Sequence, residues 1–454
     1  MTRQWRLNLW SAWADVMMTI AGLVSVDAMN QASAQSPASS LSVTGSSDAA
    51  APETGTAVFG PSTKVMPTPR AWPPGHGEAH DFISNLTGGL DSQYDRYMAF
   101  KDQLSDRYNL DFSLDVSIYP QFGTPNGGKP VDLFSSYANV TWKPFTDTAV
   151  GSGEFNVTFG QQQYWTAANT GSQSTQMGLI SYPNDWLSNN YSWSTVAYTH
   201  TLPGVMKVLS ITVGQYNLFS FDPNSYAANA QVNFISYPFA QDATQTFPNA
   251  GLGAYATVTT PDGKIALSGG FQGGTDLSGR TISTDGFRTG KYTYWGNVQW
   301  TPSVPGFGDG IYSLLYYEQP GVPESPIPSR GISFSASQEI GRKWGAFVRI
   351  SNASGDATPI MTSIAFGGVR NDPFGRYPLD QAGLAFAWDK TNFAATGVTS
   401  AEARPSELVT EFYYAFTVFK GLQITPDMQL FFHPALSSNT ATAAMFTVRS
   451  TFIF

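Results

Sequence analysis

The sequence predicts an all-β transmembrane barrel, and three observations support this fold class. Charged residues make up 13% of the 454 residues and aromatic residues 14%, whereas charges account for about 25% of a soluble domain. After the N-terminal segment, no apolar run reaches the roughly 18 residues that a membrane helix needs. Apolar and polar residues alternate instead, as they do in membrane-spanning strands. A large secreted β-sandwich or β-helix is the alternative at this level.

Composition also limits the kinds of partner. The net charge is −9 and the Lys and Arg residues do not cluster, which speaks against a nucleic-acid partner. The chain has no cysteine, so neither a disulfide framework nor a thiolate metal site is available. No cofactor is implied.

The first 80 residues are predicted to be export and linker segments. Arg3 and Arg6 precede an apolar stretch at 16–26, and Ala32-Ser33-Ala34 is a cleavage motif, so we predict a signal peptide at 1–34. Residues 35–80 are rich in Ser, Ala, Thr, Gly and Pro. Such a composition cannot bury a core, and we predict a disordered linker there.

Residues 81–107 are predicted to form a short amphipathic helix. Its larger apolar residues recur at helical spacing; they are Leu90, Tyr94, Tyr97, Met98 and Leu104. The helix could lie in a pore mouth, or it could pack against the end or the periplasmic face of the barrel.

The barrel is predicted to occupy residues 108–454, where the apolar period changes to two. The segment NLDFSLDVSIY alternates apolar residues with Asp and Ser, and EFNVTF, VLSITVGQY and ELVTEFYYAFTVF repeat the pattern. Tight turns are predicted at Leu202-Pro203-Gly204, Pro261-Asp262-Gly263 and Lys420-Gly421, and long connections at 166–190 and 272–290. Short turns at one end and long loops at the other are typical of an outer-membrane barrel.

Aromatic residues near strand ends are predicted to form girdles at the two membrane interfaces. These residues are Trp142, Phe145, Trp295, Trp300, Trp344 and Trp388.

The segment FTVRSTFIF at 446–454 is predicted to close the barrel. Its apolar residues share one face and its polar residues the other. An open edge in lipid would leave backbone groups unsatisfied, so this strand should pair with the first strand. The aromatic pattern ending at Phe454 also resembles the signal that the outer-membrane assembly machinery reads, so that machinery and outer-membrane lipid are expected partners.

Four stretches resemble the OprB-type carbohydrate-selective porins. They are VGQYNLFSFDPNSYAANAQVNF at 213–234, GAFVRISNASG at 345–355, RYPLDQAGLAFAWDK at 376–390 and SELVTEFYYAFTVFKGLQITPDMQLFFHP at 406–434. His433-Pro434 stands where Asn-Pro is more usual in that family. The resemblance implies a barrel of about 16 strands in the cell outer membrane that passes monosaccharides by facilitated diffusion; strand counting alone gives about 14 to 18.

Successive side chains of a strand point to opposite faces. This alternation, here called parity, selects the candidate lumen residues. Six side chains oppose apolar neighbours in phase and are predicted to bind sugars at a constriction: Arg349, Glu411, Tyr413, Asp427, Gln429 and Arg449. Opposed charges in a narrow lumen would orient sugar hydroxyls through charge-assisted hydrogen bonds. Alternatively, these charges pair with one another and only shape the wall.

The expected function is therefore passive, carbohydrate-selective diffusion of small sugars through a monomer or homotrimer. A general porin, a polysaccharide or solute exporter and a plugged surface barrel are the alternatives. An enzyme is not expected, because no motif assembles a Ser-His-Asp set from the histidines of the chain.

Overall fold

The computed structural model describes residues 82–125 and 130–454, with side chains from residue 89 onward. The predicted signal peptide at 1–34 and the predicted linker at 35–80 lie outside the described residues. Among the described residues, sixteen antiparallel strands form one closed barrel. The predicted all-β class and the expected strand number are thereby confirmed.

The first eight barrel strands are β1 Leu110–Thr124, β2 Val131–Thr148, β3 Gly151–Tyr164, β4 Asn190–Thr201, β5 Leu209–Tyr216, β6 Gly251–Thr259, β7 Ile265–Gly273 and β8 Tyr292–Trp300. The other eight are β9 Gly308–Gln319, β10 Ser329–Ile340, β11 Trp344–Ala353, β12 Ile360–Asn371, β13 Gln381–Thr391, β14 Ser406–Phe419, β15 Leu422–Phe432 and β16 Thr442–Ile453. A two-residue strand, Ser303–Val304, pairs with the start of β9.

Five α-helices and two 3₁₀-helices accompany these strands in the described part of the chain. The α-helices are α1 Phe82–Tyr108, α2 Thr170–Met177, α3 Tyr237–Ala240, α4 Asp285–Thr289 and α5 Phe393–Thr396. The 3₁₀-helices are Gly204–Val208 and Phe219–Phe221. Within residues 82–125 and 130–454, no helix has both the length and the hydropathy to cross a membrane.

The last strand closes the barrel on the first. Val116 of β1 lies opposite Phe452 of β16, and Phe122 lies opposite Phe446. Leu114 and Phe454 exchange two backbone hydrogen bonds of 3.0 and 2.9 Å. The predicted pairing of the final strand with the first is therefore correct, and it satisfies backbone groups that lipid could not.

The two ends of the barrel differ in their connections. At one end, here called the turn end, the strands are joined by short turns that include the predicted ones at 202–204, 261–263 and 420–421. At the other, the loop end, long connections run over 165–189, 217–250 and 274–291.

The apolar face of the strands points away from the barrel interior. Leu314, Phe366 and Val448 are among many large apolar side chains that stay 44%, 52% and 44% exposed. A sandwich would bury this face in its core, so the sandwich alternative is excluded.

The girdle prediction is wrong for one residue. Trp142, Trp300 and Trp344 are exposed on the outer face as expected, whereas Trp295 is buried. The Trp295 ring lies 4.0 Å, centroid to centroid, from Phe221 inside the barrel. Side chains alternate between the two faces of a strand. The odd-numbered residues of β8, Trp295 among them, face the lumen.

Helix α1, predicted at 81–107, packs against the turn end of the barrel. Asp91 accepts hydrogen bonds from the Tyr377 hydroxyl at 3.2 Å and from the Lys420 backbone N–H at 2.8 Å. The Lys420 ammonium lies 2.7 Å from Asp95. Tyr94 is buried and fills the space over Gly421, where an added Cβ would lie 2.8 Å from its ring. Burial raises the pKa of Tyr94 to about 12, so its hydroxyl stays neutral at physiological pH.

We expect Lys420→Glu to loosen α1. The substitution replaces attraction toward Asp95 by repulsion, a change of about 1 kcal/mol for an exposed pair. Tryptic cleavage at Arg96 and Arg107 in folded protein should then accelerate by roughly fivefold. Lys264→Glu, in the exposed β6–β7 turn, is the matched control. Identical cleavage rates for both variants would mean that Tyr94 packing and the Asp91 hydrogen bonds hold the helix without the ion pair.

Candidate functional site: a lumen narrowed by loops

The connection 217–250, here called the inserted loop, folds into the barrel. Its large apolar residues, such as Leu218, Phe234 and Phe239, are fully or nearly fully buried. Asn224 donates to the Ser335 hydroxyl of β10 at 3.1 Å. Other contacts of the loop reach β8, β16 and β1, so the strands that it contacts extend around more than half of the wall.

Arg349 of β11 fixes the inserted loop at three points. Its Nε lies 2.8 Å from Oδ2 of Asp222, and both side chains are almost completely buried. Its Nη1 and Nη2 donate to the carbonyl oxygens of Phe239 and Ala227 at 3.1 and 2.9 Å. Burial raises the pKa of Asp222 to about 6, and the guanidinium opposes part of this rise. Asp222 is therefore mostly ionised at neutral pH, and the pair is a buried salt bridge.

Arg449 and Glu411 hold the middle of the inserted loop. Nη1 of Arg449 donates to the carbonyl oxygens of Ala230 and Asn233 at 2.6 and 2.7 Å. The Glu411 carboxyl group accepts hydrogen bonds from the backbone N–H groups of loop residues 235 and 236 at 2.6 and 2.8 Å. The Arg449 guanidinium thus binds loop carbonyls and the Glu411 carboxyl oxygens bind loop amides, so the two side chains hold complementary groups of the loop backbone.

Tyr413 supports the same loop through its ring. The ring meets Phe234 edge to face, with centroids 4.9 Å apart, and the hydroxyl donates to Gln381. Gly383 leaves room for both rings, since a Cβ there would lie 2.3 Å from Tyr413 and 2.8 Å from Phe234.

Gln429 and Asp427 lie on β15 beneath the connection 165–189, here called the second loop. Nε2 of Gln429 donates to the carbonyl oxygen of Pro183 at 2.9 Å and to Asp427 at 3.1 Å. Glu407 and Asp389 extend this contact, since they accept from the backbone N–H and the hydroxyl of Ser181 at 3.0 and 2.5 Å. Polar lumen side chains therefore fix the second loop as they fix the inserted loop.

The six residues predicted from parity all lie on lumen-facing rows, and each is 5% exposed or less. Their contacts in this structure are with the two loops, with one another and, for Tyr413, with Gln381 of β13. Contact between any of them and a sugar stays a prediction.

The opposite wall keeps most of its polar side chains partly exposed, whereas Asn156, Thr158 and Thr212 are buried, with exposures of 9%, 6% and 2%. On β2 to β7, toward the turn end, lumen-facing hydroxyl and amide groups form what we call the polar wall: Asn139, Thr141, Asn156, Thr158, Thr199, Thr212, Thr257 and Ser268. They are hydrogen-bonded in pairs across neighbouring strands, at 2.8 to 2.9 Å between Thr141 and Asn156, Thr158 and Asn139, and Thr199 and Thr212.

One ion pair borders the polar wall at the turn end. The Lys143 ammonium lies 3.5 Å from Glu154, whose other oxygen accepts from Asn156 at 2.7 Å. Across the described ranges, no three His, Asp or Glu side chains are grouped so that they could hold a metal ion.

Parity could not single out the polar wall. It identifies every lumen-facing row, including the Glu-Asn-Thr row of EFNVTF, but it does not indicate which rows the loops cover. The sequence did contain one indication of the inserted loop. Its first half, residues 217–234, lies within the stretch 213–234 that resembles the family.

A closed barrel with an apolar outer face and a polar interior narrowed by an inserted loop defines a porin of the outer membrane. The family model described as "Carbohydrate-selective porin, OprB family" matches residues 169–454. The chain belongs to this family and is a protein of the cell outer membrane. Family and fold indicate a channel rather than an enzyme. The loop end then faces the outside of the cell and the turn end the periplasm.

Individual relatives agree with this assignment. Porin AaxA of Chlamydia pneumoniae is 31% identical over 350 residues, which cover 75% of this chain and 78% of the relative. Porin AaxA of Chlamydia muridarum is 31% identical over 375 residues, 78% of this chain and 79% of the relative. The high-pH structure of Pseudomonas putida OprB superposes with a TM-score of 0.62 over 79% of this chain and 97% of that one. Its sequence identity is 15%, so this likeness supports the fold alone.

Proposed function

We propose that small sugars diffuse passively through the space between the inserted loop and the polar wall. The polar wall is the observation that carries this proposal. Its Thr, Ser and Asn side chains both donate and accept hydrogen bonds, as sugar hydroxyls do. Such neutral contacts are weak enough to be exchanged as a solute moves, which conduction requires. The family description, carbohydrate-selective porin, supports the same solute class.

The distribution of charge favours a neutral polar solute over an ion. The buried side chains of Arg349, Arg449 and Glu411 are bound to loop backbone or to Asp222, so a passing solute does not contact them. Lys143 and Glu154 largely neutralise each other at the turn end. A solute at the polar wall therefore meets mainly dipoles.

The six predicted residues receive a more specific role in this proposal. Arg349, Glu411, Tyr413 and Arg449 position the inserted loop, and Asp427 and Gln429 position the second loop. The loops in turn set the width of the path. Direct sugar contact by any of the six requires a loop to move first.

The assignments of the remaining segments, made from the sequence, are also part of this proposal. A signal peptide at 1–34 would be removed on export and followed by a linker at 35–80, and β16 with Phe454 would serve as the signal for the assembly machinery. The barrel at 108–454 would act in outer-membrane lipid as a monomer or homotrimer.

Liposome swelling with purified mature protein tests the function. A monosaccharide should swell the liposomes faster than an amino acid of similar size and faster than a disaccharide. Equal rates for all small solutes would indicate a general porin. The absence of swelling would remove the channel proposal and leave a plugged surface barrel.

A variant of the polar wall tests the path itself. Asn139→Leu combined with Asn156→Leu should slow monosaccharide diffusion by up to roughly thirtyfold, since two hydrogen-bonding groups of about 1 kcal/mol each are lost. Val140→Leu, on the outer face between them, is the control and should change nothing. If swelling by the amino acid falls by the same factor, the effect is steric and the wall does not select sugars.

A further inference from the structure

A cavity of about 520 Å³ lies on the outer face of the barrel, away from the lumen. Outward-facing side chains of β8, β9 and β10 line it, chiefly Tyr292, Tyr294, Glu318 and Arg330. Its volume falls in the range of small-molecule sites. The proposed sugar path does not use it.

The walls of the cavity are held in place. Tyr292 packs edge to face against Phe271 and Phe287, with centroids 5.3 and 5.6 Å apart. Nε of Arg330 lies 3.2 Å from Glu318, which also accepts the Tyr316 hydroxyl at 2.7 Å. The aromatic rings and the charged groups are therefore oriented before any ligand binds.

The position of the cavity indicates the kind of ligand. All its lining residues lie at the loop end of their strands, the level of the lipid headgroups in the outer leaflet. Directly below, toward the membrane centre, Leu314 and Ile332 are exposed apolar residues of the same outer face. A ligand with a polar head and acyl chains would contact both zones at once.

The chemistry of the lining suits a phosphorylated sugar. Tyr294 is 57% exposed and presents a ring on which a sugar can stack. The Arg330 guanidinium is the group that pairs best with a phosphate, in two parallel hydrogen bonds. Glu318 can accept from sugar hydroxyls. The Lys291 ammonium, 2.6 Å from the carbonyl oxygen of Gly321 beside the cavity, adds a second positive charge.

We propose that this cavity binds the phosphorylated sugar headgroup of an outer-leaflet glycolipid, whose acyl chains lie against the apolar outer face below. The site would anchor the lipid to one sector of the barrel, β8 to β10. Because it is separate from the lumen, this inference does not depend on the proposed transport function.

Native mass spectrometry of the purified mature protein titrated with lipid A tests the proposal. Arg330→Ala and Tyr294→Ala should each raise the dissociation constant for lipid A by roughly tenfold, and Tyr294→Phe should not. With lipid A stripped of phosphate, the Arg330→Ala effect should vanish and the Tyr294→Ala effect persist. Monosaccharide-driven swelling should stay unchanged in all three variants.

Arg370→Ala provides the matched control. Arg370 also faces outward, but at the turn end, where its guanidinium lies 5.2 Å above the Trp344 ring. Its removal should leave lipid A binding intact. Equal affinity in wild type, Arg330→Ala and Tyr294→Ala would overturn the proposal, and so would an equal loss in the Arg370→Ala control.

Discussion

Arg349→Ala should speed the diffusion of disaccharides through the barrel rather than slow that of monosaccharides. The guanidinium fixes the inserted loop at Asp222, Ala227 and Phe239, and its removal frees all three points. It also leaves the Asp222 carboxylate buried without its partner, at a cost of about 3 to 5 kcal/mol. We expect the loop to leave its site and the lumen to widen.

Liposome swelling and single-channel conductance measure this change. The disaccharide-to-monosaccharide ratio of swelling rates should rise by several fold, and the conductance should increase and fluctuate more. If Arg349 instead contacts the sugar directly, as parity alone suggests, monosaccharide diffusion slows and the ratio stays constant. The two roles therefore predict different outcomes: the ratio rises if Arg349 anchors the loop and does not change if Arg349 contacts the sugar.

Variants of the partner residue complete the test. Asp222→Ala should widen the lumen as Arg349→Ala does, because it leaves Arg349 buried and unpaired. The double variant Arg349→Met with Asp222→Leu should restore part of the selectivity, since an apolar pair of similar volume tolerates the same burial. Arg370→Ala, exposed on the outer face, should have wild-type conductance.

Excision of the inserted loop should have the largest effect on conductance. Tyr216 and Gly251 are paired residues of β5 and β6, so residues 218–249 can be replaced by a short Gly-Ser turn without breaking the barrel. A 16-stranded barrel without an inward loop leaves a wide aqueous channel. Conductance should rise severalfold, and trisaccharides should enter liposomes that the wild-type protein keeps closed to them.

Shortening a different loop is the control for this experiment. The connection between β13 and β14 is largely exposed at 397–402, and its removal should leave conductance unchanged. Heat-modifiable migration in gel electrophoresis would show that both variants fold as barrels. Unchanged conductance after excision of 218–249 would assign the constriction to the second loop or to α1.

The alternating pattern determined the barrel before any tertiary contact was considered. In β1 and β16 it predicted both the facing of the side chains and the pairing of the last strand with the first, which the structure shows with Val116 opposite Phe452. Two physical constraints make this inference strong. Side chains alternate with a period of two, and backbone groups in lipid must pair, so the sheet has to close.

The same pattern placed Arg349, Glu411 and Arg449 on the lumen side of the wall. It did not show that a loop covers them. What covers them is a loop without periodicity, and Phe239 lies 110 residues from Arg349 in the sequence. Trp295 was misplaced for a different reason: an aromatic residue near a strand end was taken for a girdle residue, whereas the alternation along β8 directs it to the lumen, where it contacts Phe221.

The sequence by itself thus determined the barrel, its closure, its membrane setting and the face of most residues in the strands that it identified. Only the tertiary structure decided which lumen rows bind loops and which stay open as the polar wall. The physical reason is that strand facing is a local property, repeated every two residues. The path of a long loop depends instead on a few buried charge and ring contacts between distant segments, and no local pattern encodes them.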